Sequence, residues 1–278
     1  MRDLDRILSV LGEVRHRAVR IALVLVPLFG FLIAFRLVRF EVAIGPFSFV
    51  FAYPFPSPFD NVSAQVFRAM AAYALPSGVS LLNLGVGDSV FVQMEIALLL
   101  TLIFGMPWIV HEVGAFLVPA LRRNERGLIR QIGLPATGLF AVGALLGFFV
   151  LTPFTLRLLF LYVASLGLAP AMGVQSFATF VLLYSLGFGV VFELPVFLYA
   201  LTRLGLVRAA TWRKQWRVAV IASLVFGMVI TPDNSGITML LIAGPMFGLY
   251  AGGAYFASRY ERLRDAGRER PIAPTAGG

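Results

Sequence analysis

Three carboxylates stand out by their neighbours. Glu13 lies in Gly12-Glu13-Val14-Arg15 and Glu125 in Arg123-Asn124-Glu125-Arg126, each just outside an apolar run and on the side carrying nearly all the positive charge. The third, Glu193 in Phe192-Glu193-Leu194-Pro195, falls inside an apolar run. Carboxylates at the ends of apolar runs suit a cationic ligand arriving at a membrane surface, held by charge-assisted hydrogen bonds. Each has a plainer reading. Glu13 can pair with Arg17 at i,i+4, worth only a few tenths of a kcal/mol, and Glu125 can be a solvated loop charge.

Glu193 is the costliest of the three. It lies nine residues from the inner end of its run, roughly 13 Å deep at helical rise. A carboxylate at mid-span costs about 2.5–3.5 kcal/mol on insertion scales, so it should face protein or a wet cavity. Pro195 cannot donate to the carbonyl of Val191 and leaves a second polar group one turn away. The two make a polar notch; the plainer reading is a helix–helix hydrogen bond from a protonated glutamate. Glu95 lies near the outer end of its run and is expected to reach the interface. His111 and Glu112 lie at the inner end of the same run and read as interfacial. Arg122-Arg123 sits in an internal loop, where topology alone accounts for it.

The elements that position these residues are membrane helices. The chain is 59% hydrophobic and 13% charged, with a mean hydropathy of +0.87. Soluble domains are about 45–50% apolar and about 25% charged. There is no cysteine, which excludes disulfides and thiolate metal sites, and two histidines do not make a metal cluster. A helix needs ~20 apolar residues to cross about 30 Å of hydrocarbon. Six runs qualify, at about 18–36, 90–110, 132–154, 176–202, 218–231 and 236–257. The fifth holds ~14 residues and spans roughly 21 Å, so bilayer thinning is expected beside it.

Arginine placement orients the spans. Lys214 is the exception among 23 cationic residues; the others are arginine. Five lie in the amino-terminal segment through Arg20, four in the second-to-third connection, five in the fourth-to-fifth connection and five in the tail. Only Arg36, Arg39, Arg68 and Arg157 fall on the opposite side. The positive-inside rule therefore puts both termini in the cytoplasm, and the net charge of +9 is a topology signal rather than a nucleic-acid footprint.

Leu4, Ile7, Leu8, Leu11 and Val14 recur at helical spacing, which predicts an amphipathic entry helix over 3–17 lying in the interface before the chain turns into the bilayer. The outer segment 37–89 is rich in Pro, Phe and Gly, and Tyr53-Pro-Phe-Pro-Ser-Pro-Phe59 excludes a regular helix there. Ser63–Leu75 reads as a short helix stopped by Pro76-Ser77-Gly78. Residues 1–265 read as a single six-helix transmembrane domain and 266–278 as a disordered cytoplasmic tail. No phosphate loop, nucleophile elbow or His-Glu-x-x-His motif is present.

Several stretches in order resemble the TatC family, the polytopic core of the twin-arginine protein translocase. They are Glu13-Val14-Arg15, Met106-Pro107 through Val113 with Ala115-Phe116-Leu117-Val118-Pro119-Ala120-Leu121 and Asn124-Glu125-Arg126, Phe188-Gly-Val-Val-Phe-Glu-Leu-Pro195, and Thr231-Pro232-Asp233. The resemblance runs from the entry helix to about residue 260. It implies an all-α integral membrane protein with six transmembrane helices in a concave bundle, an amphipathic entry helix and an outer cap. It also implies a multi-pass protein of the cytoplasmic (inner) membrane, with no chemical active site, cofactor or metal.

By the same resemblance, Glu13, Arg15, Phe116 and Glu125 belong to the site for the arginine pair of a folded substrate's signal peptide. Glu193 and Asp233 are its intramembrane polar positions. The implied partners are twin-arginine signal peptides, small single-span subunits similar to TatA and TatB, membrane lipids and a second copy of the chain within the complex. Export would be driven by the proton-motive force. Gly114 departs from the family, standing where many relatives carry an aromatic, and Glu95 takes a position that is basic in some of them. A proton-coupled secondary transporter using Glu193 is the alternative, although the inverted repeat common in such transporters is not apparent. A structural scaffold without ligand recognition is the third reading.

Overall fold

A computed structural model describes residues 2–44, 47–117, 127–231 and 236–268, with side chains at 2–10, 40–51, 117, 127–131 and 267–268 left aside. The chain forms two compact units, Met1–Val190 and Val191–Gly278, where the sequence reads as a single domain.

In the first unit, α1 (Arg2–Ala34) is one continuous helix. The expected entry helix is present, but no turn separates it from the first span. The segment from Leu11 is apolar enough to continue straight into hydrocarbon, and Pro27 inside it does not end the helix. Helix α3 (Asp88–Leu117) is the second span. The third is α4 (Gly127–Leu146) and α5 (Thr152–Ser165), joined by a π turn at Gly147–Leu151. Pro153 explains part of that irregularity: it cannot donate to the Phe149 carbonyl, and the Tyr73 hydroxyl donates to that oxygen instead, at 3.2 Å. Thr152 Oγ1 donates to the Gly147 carbonyl at 2.9 Å. A Cβ on Gly147 would lie 2.5 Å from the Tyr184 carbonyl oxygen of α6 (Val174–Phe192), so only glycine permits this approach.

The second unit holds α7 (Leu194–Arg203), α8 (Ala209–Lys214), α9 (Trp216–Ile230) and α10 (Ile237–Arg268). Helix α10 packs against α7 and α9. A Cβ at Gly253 would meet Pro195 Cα at 2.7 Å, and one at Gly227 would meet the Met239 carbonyl at 2.6 Å. Helix α10 continues through Arg268, three residues into the expected tail; residues 269–278 lie outside the described residues. Five helical segments among the described residues are long and apolar enough to span a membrane. The sixth, Trp216–Ile230, has 15 residues and rises about 22 Å, the short span expected there. Leu23 (68% exposed), Leu134 (81%) and Val229 (76%) stand on outer helix faces, a surface suited to lipid rather than water.

The outer segment departs from an all-helical reading. β1 (Phe35–Ile44) and β2 (Phe47–Pro56) pair antiparallel, with Leu37 opposite Pro54 and Phe35 opposite Pro56. Both prolines thus share one ladder parity, where a missing N–H can point away from the partner strand. The prolines exclude a helix without excluding a strand. A second, parallel pair joins β3 (Ser80–Leu82) to β4 (Ala171–Gly173). Helix α2 (Val62–Ala74) begins one residue before the expected start. Its cap is Asn61, whose side chain accepts from Ala64 N at 2.9 Å. Leu32, Val62 and Ala97 form the core that joins α1, α2 and α3.

Asp60 ties this cap together. It pairs with Arg68 of α2 and, at 3.4 Å, with Arg36 of β1. The Arg68 hydrogen bond, opposed by some desolvation and helped by the charges of Arg68 and Arg36, holds the carboxyl below its ordinary 3.8. A depressed carboxyl contributes stability above its ordinary value and loses it as pH falls through the folded value. Asp60→Asn should therefore speed amide exchange of 35–44 at neutral pH, by no more than about fivefold because the pair is exposed. In the parent chain, exchange corrected for its intrinsic rate should quicken only below pH 3.8. Equal exchange in both proteins at neutral pH would contradict the tie.

Candidate functional site

The Arg-rich first half of α1 and the last turns of α3 meet around one guanidinium. α1 carries Glu13, Arg15 and Arg17 within one helical turn. Trp108 Nε1 of α3 donates to the Arg20 carbonyl at 3.2 Å, which fixes the two helices in register at this end. Arg17 Nε and Nη2 both donate to Glu13 Oε1, at 3.2 and 2.8 Å. Its Nη1 reaches across to α3 and lies 3.4 Å from both Glu112 Oε2 and the Glu112 carbonyl. Three nitrogens of one fork are thus spent on two helices.

Glu112, at the inner end of its run, is buried against the facing helix. Its side chain is 2% exposed, the deepest carboxylate among these charges, with His111 Nδ1 3.9 Å from its other oxygen. The cause is geometric: Arg17 supplies the counter-charge from the facing helix, so the carboxylate can leave water. Breaking such a pair costs about 3–5 kcal/mol, because one buried charge is left alone. Sequence reading found the Glu13–Arg17 spacing but not this third member. The only signal for it was that Glu112 precedes Phe116 by four residues, one turn along the same face.

Glu13 is about one-third exposed. Among the described residues no group occupies its Oε2. Within this trio two carboxylates share one guanidinium. Arg15 is exposed and has no side-chain partner among the described residues. Phe116 is half-buried near the end of α3. Glu125 and Asp233, the other expected site residues on these connections, lie outside the described residues. Thr231, before Asp233, closes α9: its N–H and Oγ1 both reach the Gly227 carbonyl, the latter at 2.8 Å.

The intramembrane polar residues separate into two kinds. Glu95 does not merely reach an interface. Thr179 Oγ1 of α6 donates to its carboxylate at 2.9 and 3.1 Å, so it acts as a helix-to-helix acceptor. Glu193 stands in the break between α6 and α7, with Pro195 in the first turn of α7. Its backbone carbonyl accepts from Phe197 N at 2.9 Å, while its Oε1 is buried without a hydrogen-bond partner among the described residues. An orphaned buried polar atom costs about 1–3 kcal/mol. That Oε1 is the side-chain atom left over at the helix break. No group of His, Asp and Glu among the described residues is arranged to hold a metal ion.

Comparison with known proteins agrees with this architecture. A family model described as Sec-independent protein translocase protein (TatC) matches residues 9–245. The chain is 39% identical over 252 residues to the Sec-independent protein translocase protein TatC of Cenarchaeum symbiosum, covering 91% of this chain and 94% of that one. It is 30% identical over 217 residues to the TatC of Azotobacter chroococcum, covering 77% and 81%. A crystal structure of the twin-arginine translocase receptor TatC matches with a TM-score of 0.72 and 25% identity, covering 91% of this chain and 100% of that one. By the length of the family match and the similarity of its relatives, this chain is a membrane protein that belongs to the TatC family of Sec-independent protein translocase proteins.

Proposed function

We propose that this chain is the signal-peptide receptor and scaffold of a twin-arginine translocase. It would bind an arginine pair at the cytoplasmic face and organise export of folded proteins driven by the proton-motive force. The observation that carries the reading is the half-used carboxylate of Glu13. Arg17 donates twice to Oε1, Oε2 has no hydrogen-bond partner among the described residues, and the side chain is about one-third exposed, so a second guanidinium can reach it. A planar guanidinium forks onto carboxylates in a way that an ammonium cannot. One substrate arginine binds Glu13, the other binds Glu125, and Phe116 supplies an apolar wall for the residues that follow. Glu112 keeps Arg17 from closing over Glu13 completely, by holding one of its nitrogens on α3. Single-span subunits similar to TatA and TatB would dock on lipid-facing helices, and a second copy of the chain would complete the complex. The chain itself carries out no bond chemistry.

Binding of a twin-arginine signal peptide to the purified full chain tests this. Charge-assisted hydrogen bonds are worth about 1.5–3 kcal/mol, so Glu125→Ala should weaken binding about tenfold or more, and Glu13→Ala somewhat less. A Lys-Lys peptide should bind the parent chain poorly and lose little more in either variant. Unchanged affinity for the Arg-Arg peptide in both variants would make these glutamates ordinary surface charges.

The orphaned Glu193 oxygen favours a second reading, proton-coupled secondary transport. The receptor reading expects Glu193→Ala to impair export while signal-peptide binding stays intact, and Glu193→Gln to be milder because the amide still hydrogen-bonds. Solute-dependent proton uptake by the isolated chain in liposomes, lost in Glu193→Gln, would instead establish the transporter.

A further inference from the structure

The second unit holds an open groove of about 550 Å³ between α8, the start of α9 and the stretch of α10 from Phe247 to Leu263. Its walls are fixed by hydrogen bonds. Trp212 Nε1 donates to Thr202 Oγ1 at 3.0 Å, Tyr250 Oη donates to the Trp212 carbonyl at 2.6 Å, and Ala209 N donates to Glu261 Oε2 at 3.0 Å. Trp212, Trp216 and Phe247 give it an apolar floor, and Arg213, Arg259 and Arg262 stand along it. No acidic side chain lines it. Among the described residues none of the three guanidiniums has an ion-pair or hydrogen-bond partner, whereas neighbouring Arg264 is paired with Asp265 and Arg217 lies over Trp216. Glu261, the acidic residue next to Arg262 in sequence, is committed to the N-terminus of α8.

The geometry points to a binding site for one anionic phospholipid of the arginine-rich leaflet, its phosphate held by Arg213, Arg259 and Arg262 and an acyl chain laid along the aromatic floor. The volume falls in the range of about 300–1,000 Å³ usual for small-molecule sites. Phe247 and Arg262 are fifteen residues apart on α10, roughly 22 Å at helical rise, the reach of a headgroup with part of its chain. A soluble phosphate would leave that floor empty, so the lipid is favoured over a free anion. The bilayer supplies the occupant directly: the cytoplasmic leaflet is anionic, and basic pockets between helices on that side take acidic headgroups. The placement also answers the shortness of α9. A headgroup drawn inward beside Trp216 thins the leaflet where a 15-residue span needs it. The inference is independent of the receptor reading.

Native mass spectrometry of the full chain tests it, titrating phosphatidylglycerol against phosphatidylcholine with identical acyl chains. The parent chain should hold one phosphatidylglycerol at least about tenfold more tightly. Each of Arg259→Gln and Arg262→Gln should lower that affinity about fivefold, the double variant should remove the preference, and the double lysine variant should keep most of it. Phe247→Ala should weaken both lipids, and excess glycerol 3-phosphate should displace neither. Equal binding of the two lipids would overturn the site. Displacement by glycerol 3-phosphate would replace the lipid with a soluble anion, and a loss as large in Arg264→Gln would show only diffuse surface attraction. Protection of Arg259 and Arg262 from a guanidine-modifying reagent by a partner polypeptide, with none from phosphatidylglycerol, would assign the groove to protein instead.

Discussion

Hydrocarbon offers no hydrogen bonds, so each polar group carried into it must find its partner within the protein. That constraint determines where these helices touch. Glu95 is held by Thr179 from a neighbouring helix, and Tyr73 takes up the carbonyl that Pro153 leaves free. Arg17 binds Glu112 across the α1–α3 junction. In each case satisfying the polar group is the same event as packing the helices. The exposed apolar faces contribute little to that choice, since lipid tails solvate leucine as well as another leucine does.

Close approach is the second means of holding the bundle. Gly147, Gly227 and Gly253 sit where any Cβ would collide with backbone of a facing helix. Small residues at such crossings let dispersion forces and short backbone distances replace the hydrophobic effect. Overpacking a close contact costs about 1–3 kcal/mol, and here the obstacle is backbone, which yields less than a side chain. The π turn at Gly147–Leu151 and the break at Glu193 belong to the same economy. Both lie at a proline, and at the first the freed Phe149 carbonyl finds its donor in Tyr73.

Much of this was legible in residue order. Span positions, the short fifth helix, the cap helix near 63–75 and the Glu13–Arg17 pair all follow from local spacing, and local spacing is what a sequence displays. The β1–β2 hairpin was not legible, because Pro54 and Pro56 announce only what a segment cannot be, and the parity that accommodates them needs the partner strand. The burial of Glu112 was hidden for a similar reason. Its counter-charge stands ninety-five residues earlier, and distance from the end of a span carries no information about burial against another helix. Glu95 likewise depends on Thr179, a residue with no signal of its own. Glu193 was visible as a notch because its proline lies beside it.

The functional account rests on Glu13 presenting one free carboxylate oxygen beside a guanidinium that the chain already holds. Helix α1 needs no rearrangement to display it, and the Arg17 bridge ties Glu13 to the buried Glu112 of α3. The most direct measurement places a photo-crosslinking residue beside the arginine pair of a signal peptide and maps its adducts on this chain in native membranes. The account predicts adducts at residues 12–16 of α1 and near Phe116, abolished when the arginines become lysines. Adducts confined to α9 and α10, or unchanged by the lysine substitution, would contradict it.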